Sequence, residues 1–153
     1  KEMQTLVAGD AQLEFGDPMA LESFQRAIKE TQPDNVVFVG DMVDFPALSK
    51  YPQRKEWVDS TQRGIDAYSA YLAQTRANAP NANIYVVHGN HEQRPINFIE
   101  RQANELSGLR RALGGRAVLS IAFLARYDEL EIRLSKRHTM VGRQYEVRSR
   151  HER

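Results

Sequence analysis

The chain has 153 residues, of which 41% are hydrophobic and 27% are charged, and its formal net charge is +1. These values are ordinary for a globular protein of one domain, and the net charge argues neither for nor against a nucleic-acid partner. Because cysteine is absent, disulfides and thiolate ligands are excluded, and any metal must be held by oxygen and nitrogen. No apolar run approaches the roughly 18 residues of a membrane helix and no signal peptide opens the chain, so we expect a cytoplasmic protein with no membrane partner.

Three apolar segments of strand length share one pattern, in which a turn with glycine and polar residues follows the last apolar residue. They are residues 5–8, 36–39 and 84–87. None of them alternates cleanly between apolar and polar side chains. Continuous apolar runs of this length indicate strands that are covered on both faces.

Predicted helices separate these strands. The first begins at Asp17-Pro18 and ends at Gln32-Pro33-Asp34, the second covers roughly residues 56–77, and the third runs from Pro95 to about Leu109. The candidates for the buried face of the second helix are Trp57, Ile65, Tyr68 and Leu72. The order β-α-β-α-β-α implies right-handed crossovers and a mostly parallel sheet.

The last part of the chain is less regular. Residues 118–124 suit either a strand or a helix, whereas residues 130–134 alternate like an edge strand. Residues 133–153 hold seven Lys or Arg against two Glu, a net charge of +5, which leaves −4 by difference for the preceding residues. A basic end of this kind favours nucleic acid or an acidic surface, and the simpler interpretation is a solvated end.

Polar side chains follow all three predicted strands at the point where each strand ends. Ligands of open α/β sheets collect at this edge, because loops and helix starts converge there. One Gly-Asp pair after a strand would be weak evidence, but three strands with polar clusters are more specific. The main candidates, strand by strand, are Asp10 and Gln12, then Asp41 and Asp44, then Asn90 and His91.

Two of these clusters resemble a known family. Gly40-Asp41-Met42-Val43-Asp44 and Gly89-Asn90-His91-Glu92 are similar to the GDxxD and GNHE signatures of calcineurin-like metallophosphoesterases. Asp10-Ala11-Gln12 falls where that family carries its D-x-H motif. The resemblance covers roughly residues 6–99, with a weaker continuation to about Ile132, and residues 15–21 look like phage- and plasmid-borne members.

The resemblance implies an α/β fold, in which a layered sheet with flanking helices forms an incomplete version of the α/β/β/α sandwich. Residues 1–134 would be the N-terminal part of a metallophosphoesterase domain, apparently truncated at its C-terminal side. Residues 135–153 would be a basic, poorly patterned tail. The sequence leaves the oligomeric state open.

The resemblance also implies a chemistry, the hydrolysis of a phosphomonoester or phosphodiester by attack of metal-bound water. Two divalent ions about 3.5–4 Å apart would activate the water and hold the phosphoryl oxygens. By similarity, Asp41 bridges the two ions, Asp10 and Gln12 bind the first, and Asn90 binds the second. His91 would act near the leaving oxygen, with its tautomer set by Asp44, which completes the list of site residues. Such a donor set suits Mn²⁺, Fe or Zn²⁺.

Two departures from the family pattern bear on activity. Gln12 stands where a histidine is expected, which loosens the first-ion site or tunes it toward Mn²⁺ or Mg²⁺. The later Gly-His-x-His motif is also missing, and His138 and His151 are the only histidines after His91. We favour a fragment of a longer enzyme. The alternatives are a site completed by another subunit and a non-catalytic binding domain that keeps the scaffold.

Three further residues near the third strand receive smaller roles. His88 precedes the motif, and we expect its side chain to point away from the site and to be structural. Glu92 and Arg94 are expected to support the site or to be solvated, not to be catalytic. Within the class of phosphoesters, the basic tail and the phage-like segment favour a nucleic-acid substrate slightly.

Overall fold

The structure is a computed structural model that describes residues 2–49, 55–57, 59–135, 138–141 and 145–148, the last two ranges as backbone only. A parallel four-stranded sheet lies at its centre. Its strands, in spatial order, are β1 (Thr5–Ala8), β2 (Asn35–Phe38), β3 (Asn83–Val87) and β4 (Ile132–Ser135). The predicted α/β class, the parallel sheet and the position of β4 at its edge are therefore confirmed.

The register of the sheet places the ends of its first three strands level with one another. Ala8 lies opposite Phe38, and Phe38 lies opposite Val86. All four residues of β2 are buried, as expected for a strand that has neighbours on both sides and packing on both faces. The loops that follow β1, β2 and β3 consequently leave the sheet at one edge.

Five α-helices and two short 3₁₀ turns surround the sheet in the described part of the chain. The α-helices are α1 (Pro18–Thr31), α2 (Ser60–Asn78), α3 (Gln93–Gln102), α4 (Asn104–Ser107) and α5 (Ile121–Leu124), and the turns are Pro46–Leu48 and Lys55–Trp57. None of the helices found there is long and apolar enough to cross a membrane.

Local chemistry explains why α1 has the predicted bounds. The carboxylate of Asp17 accepts hydrogen bonds from the backbone N–H of Met19 at 2.8 Å and of Ala20 at 3.3 Å, and Pro18 occupies the first turn. At the other end Gln32 adopts a left-handed φ of 45°, which stops the helix. The prediction for this helix is confirmed at both ends.

The bounds of the other two predicted helices were wrong in part. The second helix begins at Ser60 and not near residue 56, because Lys55–Trp57 forms a separate 3₁₀ turn. The third ends at Gln102, because non-helical backbone at Ala103, with φ −154° and ψ 54°, separates it from α4. Of the segment left open at residues 118–124, the last four residues form α5.

The core continues from β2 into the loop that follows it. Met42, Val43 and Phe45 have no exposed surface, and they pack with Phe38 and Tyr68. Burial of each such side chain contributes about 1.5–3 kcal/mol, so this loop is anchored by its apolar residues. A mobile surface loop could not position polar groups as firmly.

Two further strands lie beyond the four-stranded sheet. They are β5 (His138–Val141) and β6 (Tyr145–Arg148), and they pair in antiparallel fashion. Both fall within residues 135–153, which the sequence analysis set apart as the basic tail.

Candidate functional site

The loops after β1 and β2 run side by side and hydrogen bond through their backbones. The N–H of Asp10 donates to the carbonyl of Gly40 at 2.9 Å, and the N–H of Gln12 donates to the carbonyl of Asp41 at 3.1 Å. Asp10, Gln12 and Asp41 all have a left-handed φ, at 55°, 42° and 53°. Such backbone costs on the order of 1–3 kcal/mol per residue. Three of the predicted metal ligands therefore have strained backbone, as do five other non-glycine residues of the described chain.

Two glycines allow the loops after β2 and β3 to touch backbone to backbone. A Cβ atom on Gly40 would lie 2.7 Å from the Cα of Gly89, and one on Gly89 would lie 2.3 Å from Oδ1 of Asp41. Neither distance is compatible with a side chain. From the sequence, these glycines were expected to allow a sharp turn and a close approach to an ion, and the structure adds a close approach between the two loops.

The buried carboxylate of Glu92 hydrogen bonds to the backbone of the same two loops. Its side chain is fully buried, and its Oε2 accepts hydrogen bonds from the N–H of Asp41 at 3.0 Å and of Gly89 at 2.9 Å. Oε1 accepts from the N–H of Met42 at 2.7 Å and of Val43 at 3.4 Å. Burial raises the pKa of Glu92, and the hydrogen bonds from the backbone oppose that shift. Glu92 is thus a supporting residue and is not solvated.

Asp44, His91 and Arg94 form a connected group at the mouth of the site. Nδ1 of His91 lies 2.7 Å from Oδ1 of Asp44. Nη1 of Arg94 donates to the backbone carbonyl of Asp44 at 2.7 Å and to its Oδ1 at 3.0 Å, and Nη2 lies 3.0 Å from Nε2 of His91. Because a guanidinium can only donate, Nε2 must accept, which assigns the ring proton to Nδ1 on the side of Asp44.

The structure places the predicted ligands at this edge with different exposure. Asp41 is 3% exposed and its Oδ1 accepts from the N–H of His91 at 3.0 Å, whereas Asp10 and Asn90 are exposed. The amide nitrogen of Gln12 donates to Oδ1 of Asp10 at 3.2 Å. These four side chains supply carboxylate and amide oxygens, which suit a hard divalent cation.

These four side chains are fewer ligands than two divalent ions need. Among the residues that the structure describes, no three His, Asp or Glu side chains form a group that could hold a metal ion. The backbone of His138 lies in β5, but its imidazole and the whole of His151 fall outside the description. The described residues therefore supply part of a divalent-cation site.

His88 points into the core, away from this group. Its Nε2 lies 3.1 Å from the hydroxyl of Tyr127, which in turn lies 2.7 Å from the hydroxyl of Tyr68. Burial, with a smaller contribution from the charge of Arg116, lowers the pKa of His88 to about 4. His88 is neutral at neutral pH, in agreement with the structural role expected for it.

A groove opens beside His91 and continues along α3. Its volume is about 680 Å³. It is lined by Leu48, Ser49, Asn90, His91, Arg94, Asn97, Phe98, Arg101 and Gln102. This groove could not be predicted from the sequence, because the motif ends at Glu92 and the residues beyond it carry no signature.

Comparison with known proteins agrees with this architecture. The calcineurin-like phosphoesterase family matches residues 3–144, and the chain belongs to that family. Metal-dependent hydrolysis of phosphoesters is the general activity of this family. The matched range contains β1 to β5 and α1 to α5.

Two phage proteins are similar to part of the chain. They are the Gene 54 protein of Mycobacterium phage D29, at 31% identity over 106 residues, and the Gene 54 protein of Mycobacterium phage L5, at 26% over 103 residues. Each alignment covers 66% of this chain and 40% of the relative. The similarity to phage proteins expected from residues 15–21 is confirmed.

Proposed function

We propose that this chain carries a metal-dependent phosphoesterase site that hydrolyses a phosphomonoester or phosphodiester. One observation carries the proposal. Two carboxylates, Asp10 and Asp41, stand at one sheet edge beside the contacting pair of Asp44 and His91. Cation ligands next to a histidine–carboxylate pair are the elements that hydrolysis of a phosphoester needs.

Asp10, Gln12, Asp41 and Asn90 would hold the divalent metal. Bound there, it supplies an activated water and neutralises charge on the phosphoryl oxygens. Oxygen donors without sulfur favour Mn²⁺, with Fe and Zn²⁺ as the other candidates. The left-handed backbone at three of the four residues sets the direction of their Cα–Cβ bonds.

His91 would act as the general acid that protonates the leaving oxygen. In the resting geometry its Nε2 accepts from Arg94, so Arg94 must turn away before Nε2 can face the leaving oxygen. Asp44 stays 2.7 Å from Nδ1 and would stabilise the imidazolium that forms when Nε2 takes a proton from solvent, and Nε2 would then donate that proton to the leaving oxygen. The freed guanidinium of Arg94 can then donate to a phosphoryl oxygen.

A second function is supported by the small donor set. With no three-residue group of metal ligands in the described part of the chain, the scaffold could bind a phosphate or a partner without catalysis. The two functions differ in one property, because only the enzyme releases product from an ester.

The test is hydrolysis of para-nitrophenyl phosphate and of its bis ester by the purified chain supplied with Mn²⁺. We expect release of nitrophenol from at least one ester, and we expect Asp41→Asn to abolish it. Asparagine can keep the hydrogen bond from His91, so the fold should survive. The matched control is Asp66→Asn, at an exposed position on α2, which should leave the rate unchanged. If neither ester is cleaved, the binding function is favoured for this chain.

A further inference from the structure

The groove beside His91 is built mainly from one face of α3. Arg94, Asn97 and Arg101 follow His91 at intervals of three or four residues, which places them on successive turns of the same helix face. Asn90 and His91 form its inner end, where the proposed chemistry lies. The groove is therefore continuous with the candidate site.

The charge of the groove has one sign. Its lining includes two arginines and a histidine, and no Asp or Glu occurs among the described residues that line it. Arg94 is engaged with Asp44 and His91, whereas Arg101 is exposed and forms no ion pair with any residue that the structure describes. Such a groove favours an anionic ligand.

The spacing of the two arginines along α3 bears on the length of that ligand. Arg94 and Arg101 are seven residues apart on α3, which corresponds to about 10 Å along the helix axis. Because the two arginines lie two helical turns apart, a ligand longer than one phosphate group can contact both of them along the groove. The spacing therefore favours a ligand with a second anionic group beyond the phosphoester that reacts.

An aromatic ring lies between these two charges. Phe98 is 49% exposed although it is a large apolar side chain, and it contributes to the lining of the groove. Aromatic rings between cationic side chains are typical of surfaces that bind single-stranded nucleic acid, because bases stack on the rings while phosphates contact the charges. A simple polyphosphate would have no use for such a ring.

We propose that the α3 groove binds a single-stranded nucleic-acid segment, with Arg94 near the scissile phosphate, Phe98 against a base and Arg101 on a neighbouring phosphate. This inference rests on the proposed function and deepens it by naming the substrate class. It concerns residues that lie beyond the signature motifs.

Binding is measured without catalysis. A fluorescently labelled oligothymidylate is titrated with the full chain in EDTA, and anisotropy gives Kd at several salt concentrations. We expect Arg101→Gln to raise Kd about five- to tenfold and to lower the slope of log K against log salt by about 0.7. Arg26→Gln, an exposed position on α1, removes the same charge and should change neither value.

The aromatic contact has its own variant. Phe98→Leu keeps an apolar side chain of similar size on α3, so the fold should be preserved, and loss of stacking should raise Kd about fivefold or more. If inorganic tripolyphosphate displaces the oligonucleotide and Phe98→Leu binds like the wild type, the ligand is a polyphosphate and the proposal is overturned. It is also overturned if the wild type does not bind, or if Arg101→Gln binds like Arg26→Gln.

The two proposals can fail separately. Hydrolysis of bis-para-nitrophenyl phosphate by the wild type tests the proposed function, because this ester carries one phosphate and no base. If that ester is cleaved but oligonucleotide binding does not depend on Arg101, only the proposal of a nucleic-acid groove is refuted. If oligonucleotide binding depends on Arg101 and Phe98 but no ester is cleaved, only the proposed phosphoesterase activity is refuted.

Discussion

The substitution of Glu92 by glutamine tests how the loops of the site are held together. The carboxylate accepts four backbone hydrogen bonds, two on each oxygen, from the loops after β2 and β3. A glutamine amide has one accepting oxygen and one donating nitrogen. Whichever way the amide lies, two backbone N–H groups would face its nitrogen and would lose their acceptor.

The size of the effect follows from that geometry. A buried N–H group that loses its partner costs about 1–3 kcal/mol, so two such groups cost about 2–6 kcal/mol. The neutral amide avoids burial of a charge, which offsets part of this loss. We expect Glu92→Gln to lower the free energy of unfolding by about 2–4 kcal/mol, a large share of the roughly 5–15 kcal/mol of a typical domain.

Urea unfolding, followed by circular dichroism, measures this change. Glu105→Gln serves as the control, because Glu105 is exposed on α4, and it should change the free energy by less than about 0.5 kcal/mol. A Glu92→Gln variant that unfolds within about 0.5 kcal/mol of the wild type would refute the role assigned to this carboxylate.

Three further predictions concern the neighbours of Glu92. His88 is neutral in the folded chain down to its pKa of about 4, whereas it titrates near 6.5 in the unfolded chain. The free energy of unfolding should therefore have its full value above pH 6.5. It should fall by about 2–3 kcal/mol as the pH drops to 4 in EDTA, and His88→Gln should lack that slope. Gly89→Ala should lower the free energy of unfolding by about 2 kcal/mol or more, because its Cβ would meet Oδ1 of Asp41 at 2.3 Å. Gly108→Ala should not lower the free energy of unfolding, because a Cβ there meets nothing within 4 Å. If Gly89→Ala and Gly108→Ala had equal unfolding midpoints in urea, the close approach of the two loops would be contradicted. Arg94→Lys should reduce kcat/KM for the bis ester about tenfold and shift the pH profile of kcat/KM, since lysine cannot contact Asp44 and His91 together. An unchanged pH profile would contradict the role of Arg94 in holding Asp44 and His91.

The sheet and the first helix could be predicted because their signals are local. Apolar runs before Gly40 and His88 define β2 and β3, and the Asp17-Pro18 pair defines the start of α1 through hydrogen bonds within its own first turn. The start of α2 at Ser60 could not be predicted, because the helical pattern of apolar residues runs on into the 3₁₀ turn before it.

The supporting residues of the site could not be predicted for a different reason. Glu92 hydrogen bonds to backbone groups about fifty residues away, at Asp41 and Met42, and no local pattern identifies such partners. The bond between Arg94 and His91 depends on helix geometry just after the motif. The contact of Asp44 with His91 was expected only from the family resemblance. The assigned roles of these residues, the division at residue 134 and the cytoplasmic location stay predictions.

The central claim is that this sheet edge holds a divalent cation, and a calorimetric titration of the metal-free chain with Mn²⁺ tests it most directly. We expect saturable uptake of Mn²⁺, with an affinity that Asp41→Asn weakens by about tenfold or more and that Asp66→Asn leaves unchanged. Heat without saturation, or equal affinity of the wild type and Asp41→Asn, would contradict it.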